Sequence, residues 1–126
     1  MNRPRILVID DEEIVRISCQ KCLTPEGYEV DVASNGIEGM QMVQTTKYDL
    51  VLTDLKMPEM DGMEVIMKAK ESQPGTRVIM MTGYSTVEHA VKAMRLGAYN
   101  FIEKPFTPDT LITAVKEALE TKREKE

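Results

Sequence analysis

The sequence predicts an α/β fold in which five βα units wind around one parallel sheet, with helices covering both faces. Three observations carry that prediction. Short runs of strand length recur along the chain, each followed by a longer stretch whose apolar residues have helical spacing. The runs "RILVID", "DLVLTD" and "RVIMMT" are almost continuously apolar, as strands buried on both faces are. Several of these runs also stop on a polar group just where a loop begins, at Asp10, Asp54, Thr82 and Lys104.

"RILVID" (5–10) reads as a central strand, and the helical pattern from Glu12 to about Thr24 is closed by Pro25 and Gly27. "YEVDVA" (28–33) alternates, as a less buried edge strand does. "SNG" (34–36) is turn chemistry, and the helix after it, to about Thr46, places Ile37, Met40, Met42 and Val43 at its apolar positions. "DLVLTD" (49–54) is the third strand, followed by a loop over 55–61. A helix from about Gly62 to Ser72 stops before Pro74 and Gly75, and "RVIMMT" (77–82) makes the fourth strand. Ser85 or Thr86 caps the next helix, with Val87, Ala90, Val91 and Met94 on one face and Gly97 at its end. "YNFIEK" (99–104) is the fifth strand. Thr107, Pro108 and Asp109 then supply a capping hydroxyl, a proline for the first turn and an acid at the positive end of the dipole. Leu111, Ile112, Val115, Ala118 and Leu119 form that last helix's apolar face. The units add up to a flavodoxin-like doubly wound (βα)5 three-layer sandwich with strand order 2-1-3-4-5. It forms one domain over residues 1–122, and 123–126 are a frayed end or the start of a linker.

A chain of 126 residues, 42% hydrophobic, supports a single core. With a net charge of −5 and scattered basic residues it has no basic stripe, so no direct nucleic-acid binding by this domain is expected. No apolar span reaches twenty residues and "MNRPRILVIDDEE" runs into acid without a signal-peptide pattern; no membrane contact and a cytoplasmic location are expected. Cys19 and Cys22 form C-x-x-C, but inside a predicted helix and at i+4 and i+7 from Val15, so they read as small buried hydrophobes and not as a redox pair or half of a zinc site. The ten methionines read as core and loop packing.

In an open parallel sheet ligands bind at the carboxyl ends of the strands, where the strand order reverses. With order 2-1-3-4-5 that point lies between the first and third strands, so Asp10, Asp11 and Asp54 converge there, with Thr82 and Lys104 close by. Three carboxylates repel unless a cation compensates. Oxygen ligands and the absence of histidine or cysteine at these positions favour Mg2+ over zinc or copper. Asp54, at the tip of an apolar strand, is the carboxylate placed for in-line attack on phosphorus, with Lys104 and Thr82 each taking a phosphoryl oxygen.

In combination, "VIDDEE", "DLKMPEMDG", "MTGYS" and "GAYNFIEKPF" resemble the acidic pair, phosphorylation loop, threonine segment and Lys-Pro segment of the receiver domains of bacterial two-component response regulators, over essentially the whole chain. The stretch from "GYSTVEHAV" to "FTPDTL" is similar to receivers that precede ATPase modules in nitrogen-regulation-type transcriptional activators. The resemblance implies a phosphorylation-dependent switch: a sensor histidine kinase donates to Asp54, the phosphoacceptor, and a conformational change controls an output domain or downstream protein. It makes Asp11 and Asp54 direct Mg2+ ligands, brings Asp10 in through water, and adds the main-chain carbonyl of Lys56. Thr82 and Lys104 sense the phosphoryl group, and Phe101, where many relatives carry tyrosine, turns inward on activation. Lys56 and Tyr84, two places after Asp54 and Thr82, tune the lifetime of the acyl phosphate. The only catalysis implied is of the domain's own phosphoryl transfer and dephosphorylation. A phosphorylation-linked homodimer through the fourth helix, fifth strand and fifth helix is left open, as is whether the receiver is excised or stand-alone. Kinase specificity is expected on exposed positions of the first helix such as Arg16 and Gln20.

Other readings compete. An aspartate-nucleophile phosphatase places a second acid two residues after its nucleophile, where this chain has Lys56. A flavin carrier on the same fold needs hydroxyls and glycines in the first strand-to-helix loop, where "DDEE" stands. His89, the single histidine, falls in the fourth helix beyond the pocket's edge and reads as a partly exposed helix residue. A phosphorylation-independent protein-binding module is the remaining alternative.

Overall fold

A computed structural model describes residues 3–83 and 86–124, with side chains through Thr121. Strands β1 (Arg5–Ile9), β2 (Glu29–Ala33), β3 (Leu50–Asp54), β4 (Arg77–Thr82) and β5 (Asn100–Glu103) pair in parallel throughout, in the order β2-β1-β3-β4-β5. Between and after them run α1 (Glu13–Leu23), α2 (Gly36–Thr45), α3 (Gly62–Ser72), α4 (Val87–Arg95) and α5 (Pro108–Glu124), with a 3-10 turn at Thr24–Glu26 behind α1. This is the predicted doubly wound sandwich.

Each strand alternates between two half-cores, because successive side chains leave a strand on opposite faces. Leu7, Ile9 and Val51 pack with Met40 and Val43 of α2, Ile66 and Ala69 of α3, and Ala93 of α4. Ile6, Val8, Leu50 and Leu52 pack on the other face with Cys19 and Leu23 of α1 and Leu111, Val115 and Ala118 of α5. All five residues of β3 are buried, whereas edge strand β2 is mostly half-buried, as its alternating sequence required. The helix starts are fixed by side-chain caps: Asn35 accepts from the Glu38 amide at 2.8 Å, Asp61 from Glu64 at 3.0 Å, Thr86 from His89 at 3.1 Å and Thr107 from Thr110 at 3.1 Å. Thr86 is thus a cap of α4; Ser85, the other candidate, lies outside the described residues, as does Tyr84.

Strand limits are a residue tighter than expected at Asp10, Tyr28, Asp49, Tyr99 and Lys104, which sit where the ladder gives way to loops. The face of α4 that carries Val87, Ala90, Val91 and Met94 is largely uncovered: Val87 is 80% exposed, Met94 47% and Val91 43%, and Ala93 alone in the helix is buried. Periodicity identifies an apolar face, and the neighbouring elements decide whether anything covers it. Ile37 of α2 is likewise outward, at 41%. The last helix runs through Glu124, into the charge run. No helix among the described residues is long and apolar enough to cross a membrane.

Candidate functional site

The register of the sheet assembles the site. Ile9 of β1 lies beside Thr53 of β3, so the next residues, Asp10 and Asp54, leave the sheet side by side. Asp54 is the last residue of β3 and also lies beside Met81 of β4. One step beyond that strand pair, the Lys104 amide donates to the Thr82 carbonyl at 2.9 Å, which turns the lysine side chain back across the strand ends. The peptide bond from Lys104 to Pro105 is cis.

Lys104 Nζ is the hub. It lies 2.7 Å from Asp10 Oδ2, 3.2 Å from Glu12 Oε1 and 3.4 Å from Asp54 Oδ1. Asp10 is fully buried and Asp54 is 6% exposed. Backbone donors hold both: the Glu12 amide gives to Asp10 Oδ1 at 2.9 Å and the Leu55 amide to Asp54 Oδ1 at 2.9 Å. Burial, reinforced by the charge of Asp10 and only partly offset by Lys104, pushes the Asp54 pKa up to about 6. Burial also raises Asp10 against the pull of its bond to Lys104. For Lys104, burial works against the ammonium, but the hydrogen bond and charge of Asp10, aided by Asp54 and Glu12, carry its pKa upward.

Carboxylate oxygens of Asp10, Glu12 and Asp54 lie within 4.8 Å of one another, and one ammonium faces all three. That excess of negative charge, presented wholly through oxygen, suits a hard divalent cation such as Mg2+. The trio opens into a cleft of about 640 Å³ lined by Asp11, Glu12, Asp54, Lys56, Gly83 and Lys104, with Ile14, Val15, Pro105 and Phe106 forming an apolar wall.

Most residues singled out in the sequence come together here. Asp10 and Asp54 both contact Lys104, Asp11 and Lys56 line the cleft, and Thr82 is fully buried at the end of β4. Asp11 is exposed, and its carboxylate is not part of the close trio; Glu12 takes that place. The signal for Glu12 was the "DDEE" run itself, since an aspartate that accepts the amide two residues on bends the chain back over the site. Phe101 is half-buried against the half-core of α2, α3 and α4. His89 is half-buried on α4 and is not among the residues lining the cleft. Two expectations for α1 need correction: Arg16 and Gln20 are not free surface positions. Arg16 Nη1 donates to the Asp10 carbonyl at 2.8 Å and Gln20 Nε2 to the Val30 carbonyl at 3.3 Å, so both are half-buried ties to the sheet. The Cys19 thiol is buried and pushed up to about 12 by that burial, as a packing residue is.

Comparison with known proteins adds an independent line. The family model described as "Response regulator receiver domain" matches residues 6–116. The chain is 39% identical over 116 residues to Regulatory protein AtoC of Escherichia coli (strain K12), covering 92% of this chain and 25% of that protein. It is 36% identical over 122 residues to Sporulation initiation phosphotransferase F of Bacillus subtilis (strain 168), covering 97% of this chain and 98% of that protein. The crystal structure of a CheY-like response regulator receiver domain protein from Methanospirillum hungatei JF-1 superposes with a TM-score of 0.96 at 35% identity, over 99% of this chain and all of that one.

Proposed function

Since the chain belongs to the response regulator receiver domain family, a signalling family, we propose that it is the phosphorylation-dependent switch of a two-component system, with Asp54 accepting a phosphoryl group from a histidine kinase. The observation that carries this reading is the convergence of three strand ends on one ion-pair network, in which the Lys104 ammonium lies 2.7 Å from Asp10 and 3.4 Å from Asp54. An oxygen of Asp54 attacks phosphorus, the donor's phosphorus–nitrogen bond breaks, and the imidazole departs with the electron pair. The Lys104 ammonium takes an oxygen of the transferred group, and the Thr82 hydroxyl takes another. Asp11, Asp54 and the main-chain carbonyl of Lys56 are the groups that would hold Mg2+, with Asp10 acting through water; when bound it screens the charge of the carboxylates and of the phosphoryl oxygens.

Lys56, which lines the cleft, and Tyr84 together set how readily water reaches the acyl phosphate, and the domain catalyses no other reaction. A donor histidine approaches over the apolar wall of Ile14, Pro105 and Phe106. Phosphorylation shifts Thr82 and Phe101 and, through them, α4, β5 and α5, toward an output domain or downstream protein. The exposed Val87, Val91 and Met94 support a phosphorylation-linked homodimer on that face. The chain spans about a quarter of the length of AtoC and nearly all of phosphotransferase F, so a receiver joined to an output module and a stand-alone one are both within this proposal, in the cytoplasm in either case.

Intact-mass spectrometry after incubation with acetyl phosphate tests the chemistry. A Mg2+-dependent gain of one phosphoryl group, absent in Asp54→Asn, is expected. A gain that survives in Asp54→Asn would remove Asp54 from its role, and no gain from acetyl phosphate or from a phosphorylated kinase would sink the reading.

A further inference from the structure

Glu12 stands at the N-cap of α1, a place where a short side chain normally accepts a backbone amide of the first turn. Its side chain makes no such bond. Instead, the Glu12 amide is tied to Asp10 Oδ1 and the carboxylate reaches back to Lys104 Nζ at 3.2 Å, nearer than Asp54 Oδ1 at 3.4 Å. The Glu12 side chain keeps 59% of its surface exposed, so it is held by the lysine and not by packing. We propose that Glu12 is a positioning residue: its carboxylate keeps the Lys104 ammonium on the Asp10 side of the cleft and must release it when a phosphoryl group arrives on Asp54. This inference rests on the reading of Asp54 as the phosphoacceptor.

The physical content is a competition. One ammonium serves three carboxylates, and a phosphoryl oxygen on Asp54 recruits it only by displacing one of them. Asp10 is buried and cannot be left without its cation, whereas Glu12 is at the solvent edge and can be. Glu12 is therefore the partner that yields, and it restrains phosphorylation until it does.

The test is the rate at which intact protein gains a phosphoryl group from acetyl phosphate at saturating Mg2+, with Mn2+ affinity measured by electron paramagnetic resonance. Glu12→Gln is expected to be roughly two- to fivefold faster than the parent, the range that an exposed ion pair is worth. Glu13→Gln, an equal change of charge on the next, exposed residue, is expected to match the parent. In a Lys104→Met background the Glu12→Gln acceleration is expected to vanish, which a purely structural role for Glu12 does not require. Unchanged rates in Glu12→Gln overturn the proposal, as does an acceleration that persists without Lys104. Slower phosphorylation with weakened Mn2+ binding overturns it too, by making Glu12 a cation ligand. A parent protein inert to both acetyl phosphate and a phosphorylated kinase would instead overturn the phosphoacceptor reading itself.

Discussion

Asp54 is a carboxylate kept out of water at the end of a buried strand, and its pKa, raised from an ordinary 3.8 to about 6, has a thermodynamic consequence. The folded protein binds this proton more tightly than the unfolded chain, so native stability falls as pH rises from about 4 to about 6 and is level above that with respect to this group. Asp54→Asn removes the buried charge and is expected to stabilise the protein by about 1–3 kcal/mol at pH 7, an advantage that disappears near pH 4. Urea unfolding of both proteins across that range measures it, and a constant difference would assign the shift to another group. A divalent cation acts on the same charge: millimolar Mg2+ is expected to raise the melting temperature of the parent and to change that of Asp54→Asn much less.

The loop from β3 into α3 places Asp54, and its geometry depends on Gly62. The Gly62 amide donates to the Leu55 carbonyl at 2.8 Å, which folds the first turn of α3 tightly under the end of β3. A Cβ at residue 62 would collide with the Asp54 carbonyl oxygen and stand 2.9 Å from Leu55 Cα, both backbone atoms of the segment that aims the carboxylate. Gly62→Ala is expected to cost about 1–3 kcal/mol, read as a lower urea midpoint, and to slow phosphoryl acceptance because the backbone at Asp54 must shift. Glycine at the start of a predicted helix was legible in the sequence. Its necessity was not, because it comes from a backbone approach across the β3–α3 connection and not from a turn or a positive φ.

At the scale of the molecule, two half-cores divided by one sheet hold the strand ends in register, and α4 is the helix with little share in either. Its contribution to the buried core is Ala93, while Val87, Val91 and Met94 face solvent. Val91→Glu is therefore expected to leave the urea midpoint within about 0.5 kcal/mol of the parent. In sedimentation experiments it is expected to abolish any self-association that follows phosphorylation. A large loss of stability would mean that α4 carries more of the fold than its exposure indicates, and undiminished association would place the interface elsewhere.

By itself the sequence determined the alternation of five strands and five helices, the cap at Thr107, the choice of Ser85 or Thr86 for the fourth helix, and the placement of Asp10, Asp54, Thr82 and Lys104 at strand ends. These follow from local rules: side-chain period, turn chemistry and capping geometry act within a few residues of chain. Tertiary structure alone decided that Glu12 and not Asp11 joins Asp10 and Asp54, that Arg16 and Gln20 are tied inward, and that the apolar face of α4 is uncovered. Beyond a strand end, the direction of a side chain is set by how the loop turns over its neighbours. What covers an amphipathic face is set by elements distant in sequence, which no local pattern encodes.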